Sequence, residues 1–219
     1  MKDYFPQEQA TALNDEQVTG VLRNTYTLLA LTLLFSAVTA GIGMAMDMPP
    51  MGLLSLVPYF ILLFLVEKFK NSGVGIALVF ALTGWLGLTI APFVQSITAS
   101  GNGDLVYVAL GGTALIFFAL SGYVLTSRKD LSFMGGFLCV GVTIAFIAGI
   151  AAYAFDITGL SLAVSCMFLF LSSGMIAWQT SRIIHGGETN YISATVLLFV
   201  SIYNIFTSLL HLLYSFTGE

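Results

Sequence analysis

Residues 104–130 read DLVYVALGGTALIFFALSGYVLTSRKD. No charge occurs from Leu105 to Thr126, and Arg128 and Lys129 close the stretch. A hydrocarbon core about 30 Å thick takes about 20 mostly apolar residues of helix, so this run is long enough to cross a bilayer. Six further runs of the same kind occupy residues 25–46, 51–66, 74–94, 131–155, 158–180 and 191–216. The second is short, and the stems of Lys68 and Lys70 let it reach the headgroups. Lipid offers the backbone no hydrogen bonds and no strand-length alternation appears, so the spans are helical. The expected fold is all-α: a polar tail over residues 1–22, then a seven-helix transmembrane domain over 23–219.

Composition agrees with that reading. The 219 residues are 58% hydrophobic and 8% charged, with a mean hydropathy of +0.95, whereas soluble domains carry about 25% charge. That excludes a soluble enzyme, a nucleic-acid binder and a disordered chain. The bases set the orientation. Lys2 and Arg23 precede the first span, Lys68 and Lys70 follow the second, Arg128 and Lys129 the fourth, and Arg182 the sixth. Every base thus falls on one side, while Asp47, Asp104 and Asp156 mark the connectors on the other. Bases are retained in the cytoplasm, so the amino terminus is expected there and the carboxy terminus on the opposite face. The first twenty residues lack the basic start, apolar core and cleavage site of a secretory signal and read as a tail of the mature protein.

Gly141, Ala145 and Gly149 recur every four residues in the fifth span and read as a helix-packing ridge. Gly84 and Leu88 form a weaker repeat in the third. Pro58 and Pro92 are expected to bend the second and third spans. Cys139 and Cys166 read as buried free thiols. No internal repeat supports an inverted-repeat transporter.

The span centres hold no Asp, Glu, Lys or Arg, although ion-coupled machines use such groups. Glu67 beside Lys68 reads as an interfacial ion pair and His211 as an interfacial side chain. Gly101-Asn102-Gly103-Asp104 matches the string of intramembrane aspartyl proteases, but that chemistry needs a second carboxylate. Ser121-Gly122 and Ser173-Gly174 have no histidine credibly placed to activate them. His185-Gly186-Gly187-Glu188 supplies two metal ligands where a hydrolytic zinc site takes three and water. No catalytic residue, bound metal or cofactor is expected. Gln179, Ser201 and Asn204 are neutral polar groups inside the last two spans. They read as interhelical glue, worth about 0.6 kcal/mol each, or as a polar site near the cytoplasmic mouth.

Three stretches carry a resemblance: Thr83-Gly84-Trp85-Leu86-Gly87 through Pro92, the run quoted above, and SRIIHGGETNYISATVLLFVSIYNIF at 181–206. They resemble the Bax inhibitor-1 (TMBIM) family. The last of them, with RNTY at 23–26 and SFMGG at 132–136, is similar to its bacterial, YccA-like branch. The likeness covers nearly everything after Val21. It implies a bacterial inner-membrane protein of seven helices, the last central and six around it.

The resemblance implies two functions. Members of the bacterial branch are similar to modulators of FtsH, a membrane-anchored, ATP-dependent zinc metalloprotease that degrades them slowly while other inner-membrane proteins are spared. The recognition tail would be the amino terminus, with Met1, Lys2, Asp3, Tyr4, Phe5, Glu8, Asp15 and Glu16. About 20 extended residues reach some 65 Å, and low hydrophobicity suits a flexible handle. Asp15 and Glu16 equally suit the start of a short interfacial helix towards Arg23. The zinc and ATP belong to the protease. The alternative is a calcium leak channel whose pH sensor is a pair of aspartates. Matching the motifs places that pair at Gln179 and Ser201, with Asn204 retained. Calcium prefers charged oxygens, so any leak here is expected to lack the aspartyl pH switch. An adaptor that binds other membrane proteins through small-residue ridges is a third class.

Overall fold

The computed structural model describes residues 15–217. Seven helices follow one another: α1 (Asp15–Ala45), α2 (Leu56–Phe69), α3 (Gly73–Ala99), α4 (Asp104–Ser127), α5 (Met134–Ala154), α6 (Thr158–Ile184) and α7 (Tyr191–Thr217). A 3₁₀ turn, Gly52–Ser55, leads into α2. With that turn included, seven helical segments are long and apolar enough to cross a membrane. The chain is a polytopic membrane protein.

Helix ends depart from the apolar runs because a helix need not stop where the lipid does. α1 starts at Asp15, ten residues before its apolar run, so residues 15–22 of the expected tail are helical. Met1, Lys2, Asp3, Tyr4, Phe5 and Glu8 lie outside the described residues, as does the Asp15 side chain; Glu16 is exposed in the first turn. Pro58 falls in the first turn of α2, where no backbone N–H is required, so the bend expected there has no cause. Pro92 lies inside α3 and does remove a ladder bond.

α7 is the central helix, packed against α1, α2, α3, α4 and α6. α5 is peripheral and rests on α6. The broadest interface joins α1 to α3, and glycines permit it. A Cβ on Gly87 would stand 2.1 Å from Thr39 Oγ1 and 2.3 Å from the Ser36 carbonyl oxygen; one on Gly84 would stand 2.7 Å from the Phe35 ring. The two helices therefore approach closely here. The expected ridge on α5 faces α6: a Cβ on Gly141 would stand 2.6 Å from Leu171, Ala145 is fully buried, and Gly149 faces Val164. The cysteines correct the sequence reading. Cys139 and Cys166 are free but exposed on the helix surfaces, because lipid-facing and core-facing positions are equally apolar in a membrane helix.

One end of the bundle gathers the connectors that carry the bases. Asn190 donates to the Lys70 carbonyl at 3.2 Å and to Asn71 Oδ1 at 2.8 Å, joining the α6–α7 and α2–α3 connectors. His185 Nε2 lies 3.2 Å from the Arg128 carbonyl, joining the α6–α7 and α4–α5 connectors. Asn190 also caps α7, its Oδ1 accepting from the Ile192 and Ser193 amides at 2.9 and 3.2 Å. Replacing Asn190 with alanine is expected to lower stability by about 1–2 kcal/mol, read as a lower unfolding midpoint in detergent. Asn190→Asp keeps the cap, loses the two donors and falls between.

Candidate functional site

Ser201 and Asn204 of α7 line a groove of about 530 Å³ that opens at the basic end. Its walls come from α2 (Tyr59, Leu63, Val66), α5 (Val142) and α6 (Ser172, Met175), and its mouth holds Glu67, Lys70, Arg182 and Glu188. These residues share one wall because α2 is packed on α3 and α5 on α6, leaving a flank of α7 uncovered between them. The Ser201 hydroxyl is used locally, donating to the Leu197 carbonyl at 2.8 Å.

The polar trio is not assembled in one place. Gln179 is completely buried and absent from the groove lining. It lies two turns from Ser172 along the same face of α6, and neither atom of its amide has a hydrogen-bond partner among protein groups. Thr25, Tyr26 and Ser121 also bury unpartnered hydroxyls. Each lies on the basic side of Leu29 and Phe117, which pack with Ile176 and Leu198 in the central cluster. Neutral polar groups thus lie within two turns of the basic end on α1, α4 and α6. A buried polar group left without any partner costs about 1–3 kcal/mol.

A second cavity, about 330 Å³, lies beyond Asn204 towards the acidic end and is lined by Phe93, Ser161, Ser165, Thr207, Ser208 and His211 among others. Asn204 lines both cavities. His211 is half-buried near the acidic end of α7 and lines this cavity, with Nδ1 2.7 Å from Ser165 Oγ. The Ser165 hydroxyl also lies 3.1 Å from the Ser161 carbonyl, to which it can donate. The His211–Ser165 pairing joins residues 46 positions apart; sequence spacing gave no sign of it.

The charged groups at the mouth are paired. Glu67 bonds Lys70, not its neighbour Lys68, because adjacent residues point to different faces of a helix. It also accepts from Ser193 at 3.1 Å. Arg182 stacks over the Trp178 ring at 4.8 Å, donates to the Gly187 carbonyl at 2.6 Å and lies 3.8 Å from Glu188. The His185–Glu188 string is therefore a connector clasp. Ser181 completes it, donating to the Lys129 carbonyl at 3.1 Å and accepting from the Leu131 amide at 2.9 Å. The Ser132 hydroxyl and amide hold the Asp130 carboxyl below its ordinary range, and the charge of nearby His185 acts in the same direction. Among the described residues no group of three or more His, Cys, Asp or Glu is placed to hold a metal.

Residues 18–218 match the family described as Inhibitor of apoptosis-promoting Bax1. The chain is 51% identical over 194 residues to a protein of Escherichia coli K12 named Modulator of FtsH protease YccA, covering 88% of this chain and 89% of that one. It is 47% identical to an uncharacterised protein of Pseudomonas aeruginosa, over 94% of this chain and 96% of the other. An uncharacterised membrane protein of Vibrio cholerae is 41% identical over 88% of each chain.

Proposed function

Since this chain belongs to the Bax inhibitor-1 family, we propose that it modulates the membrane-anchored, ATP-dependent protease FtsH, acting as a substrate that is engaged readily and extracted slowly. The observation that carries this reading is the 51% identity, over 88% of the chain, to a relative named for that role. In this reading the membrane is the bacterial inner membrane, as the name of an E. coli O6:H1 relative has it. The basic end faces the cytoplasm by the retention of Lys and Arg on that side, and the carboxy terminus faces the periplasm.

The geometry suits a slow substrate. The connectors at the basic end are bound to one another through Asn190, Ser181 and His185, so they offer a cytoplasmic enzyme little loose chain. The grip falls to residues 1–14, with Asp15 and Glu16 next to them at the start of the described chain. Behind that grip lie seven apolar spans, each with a large burial free energy to overcome. An enzyme occupied by such a chain is withheld from other membrane proteins. The test is reconstitution of protease, reporter membrane substrate and this chain in one liposome. Reporter half-life is expected to lengthen as the chain is added, and an unchanged half-life overturns the reading.

A second reading, a cation leak, draws on the two cavities that approach Asn204 from opposite ends. Neither Gln179 nor Ser201 titrates, so calcium efflux from liposomes is expected to vary by less than about twofold between pH 6 and 8. The double variant Gln179→Asp, Ser201→Asp introduces two carboxylates inside the bundle, where burial raises their pKa values, and is expected to make efflux pH-dependent. A sigmoidal pH profile in the unaltered chain that Gln179→Ala abolishes contradicts this.

A further inference from the structure

The flank between α2 and α5 is not closed by helix packing. The two helices meet through Phe60 and Phe146, whose rings stand nearly perpendicular with centroids 5.6 Å apart. This belt separates two grooves. The one nearer the acidic end has Leu56 on its α2 side and Phe146 on its α5 side. The one nearer the basic end descends α2 from Lys70 to Tyr59 and has Val142 on its α5 side.

Length and charge restrict what the basic-end groove can hold. Eleven residues of helix rise about 16 Å, close to half of a hydrocarbon core of about 30 Å, so the groove is one leaflet deep. A groove of that depth suits one hydrocarbon chain, whereas a transmembrane helix needs the full thickness of the core. At headgroup level the mouth carries two acids and two bases, Glu67, Glu188, Lys70 and Arg182. An anionic headgroup meets no net attraction there. A headgroup with both a phosphate and an ammonium finds a partner for each. The mouth side chains keep partial access to water, and Arg182 has N–H donors beyond the one spent on Gly187.

We propose that this groove is a phospholipid site for the phosphatidylethanolamine class, one acyl chain lying against Leu63, Val66, Val142 and Val200 and the headgroup set over the four charges. The phosphate faces Lys70 and Arg182, and the ammonium faces Glu67 and Glu188. The chain then covers Ser201 and Asn204, closing the basic-end cavity from the bilayer side. The inference rests on the fold and not on the protease reading.

The test is native mass spectrometry of the full chain released from nanodiscs of equimolar phosphatidylethanolamine and phosphatidylglycerol. One retained phosphatidylethanolamine per chain is expected, favoured at least fivefold over phosphatidylglycerol. Val142→Trp fills the groove and is expected to abolish retention. Glu67→Gln with Glu188→Gln leaves the groove open and is expected to shift retention towards phosphatidylglycerol, which keeps the proposal testable if the tryptophan variant does not fold. No retained lipid, equal retention of the two classes, or retention of the same lipid by both variants overturns it.

Discussion

Replacing Gly87 with alanine is expected to lower the unfolding midpoint of the purified protein by roughly 10 °C, the shift that about 3 kcal/mol produces in a chain of this size. The added methyl would stand 2.3 Å from the Ser36 carbonyl oxygen and 2.1 Å from Thr39 Oγ1. Neither obstacle can move freely. One is backbone, and the other is fixed by its own hydrogen bond to that carbonyl at 2.9 Å. α1 and α3 must therefore separate along their whole crossing, forfeiting close packing that nothing else in lipid replaces. The control is Gly111→Ala on the exposed face of α4, where a Cβ meets nothing within 4 Å. There the better helix propensity of alanine is expected to leave the midpoint level or slightly raised. Equal midpoints for the two variants contradict the close α1–α3 approach.

Scrambling residues 2–14 is expected to remove most of the chain's effect on the protease, a loss of fivefold or more in reporter protection, while leaving the unfolding midpoint in place. A slow substrate competes only if it is engaged, and engagement needs a loose segment that the cytoplasmic enzyme can grip. The start of α1 at Asp15 sharpens the experiment. A scramble carried on to residue 20 also disturbs the first turns of α1 and confounds loss of grip with loss of structure. A companion variant altered at residues 16–20 alone tests helix integrity. If it protects the reporter as well as the unaltered chain does, while the 2–14 scramble does not, the handle is the tail. Full protection by the scrambled chain removes the tail from the account and leaves an allosteric contact within the bundle.

The seven spans were legible because apolar length and the side on which bases fall are one-dimensional properties. Helix count and the gathering of Lys70, Arg128 and Arg182 at one end follow from them. What escaped the sequence depends on which helices fail to touch. The groove exists because α2 and α5 each pack elsewhere, and no periodicity in either helix records the other's position. Gln179, Ser201 and Asn204 were legible as polar residues in apolar runs, but their separation was not: Asn204 faces two cavities while Gln179 is buried apart from both. The partner that His211 finds on another helix, Ser165, was not legible either, since 46 residues separate the two. The cysteines were misread because membrane helices are apolar on both faces, so hydrophobic neighbours do not distinguish core from lipid.

In the proposed role the chain occupies the protease as a slow competitor. Initial rates of reporter degradation by FtsH in proteoliposomes, measured over a series of reporter densities with and without the chain, test it most directly. The chain's own disappearance is followed in the same vesicles. A raised apparent KM for the reporter, an unchanged kcat and consumption of the chain more slowly than the reporter are expected. A lowered kcat with KM unchanged, or inhibition by a chain that is never consumed, contradicts it.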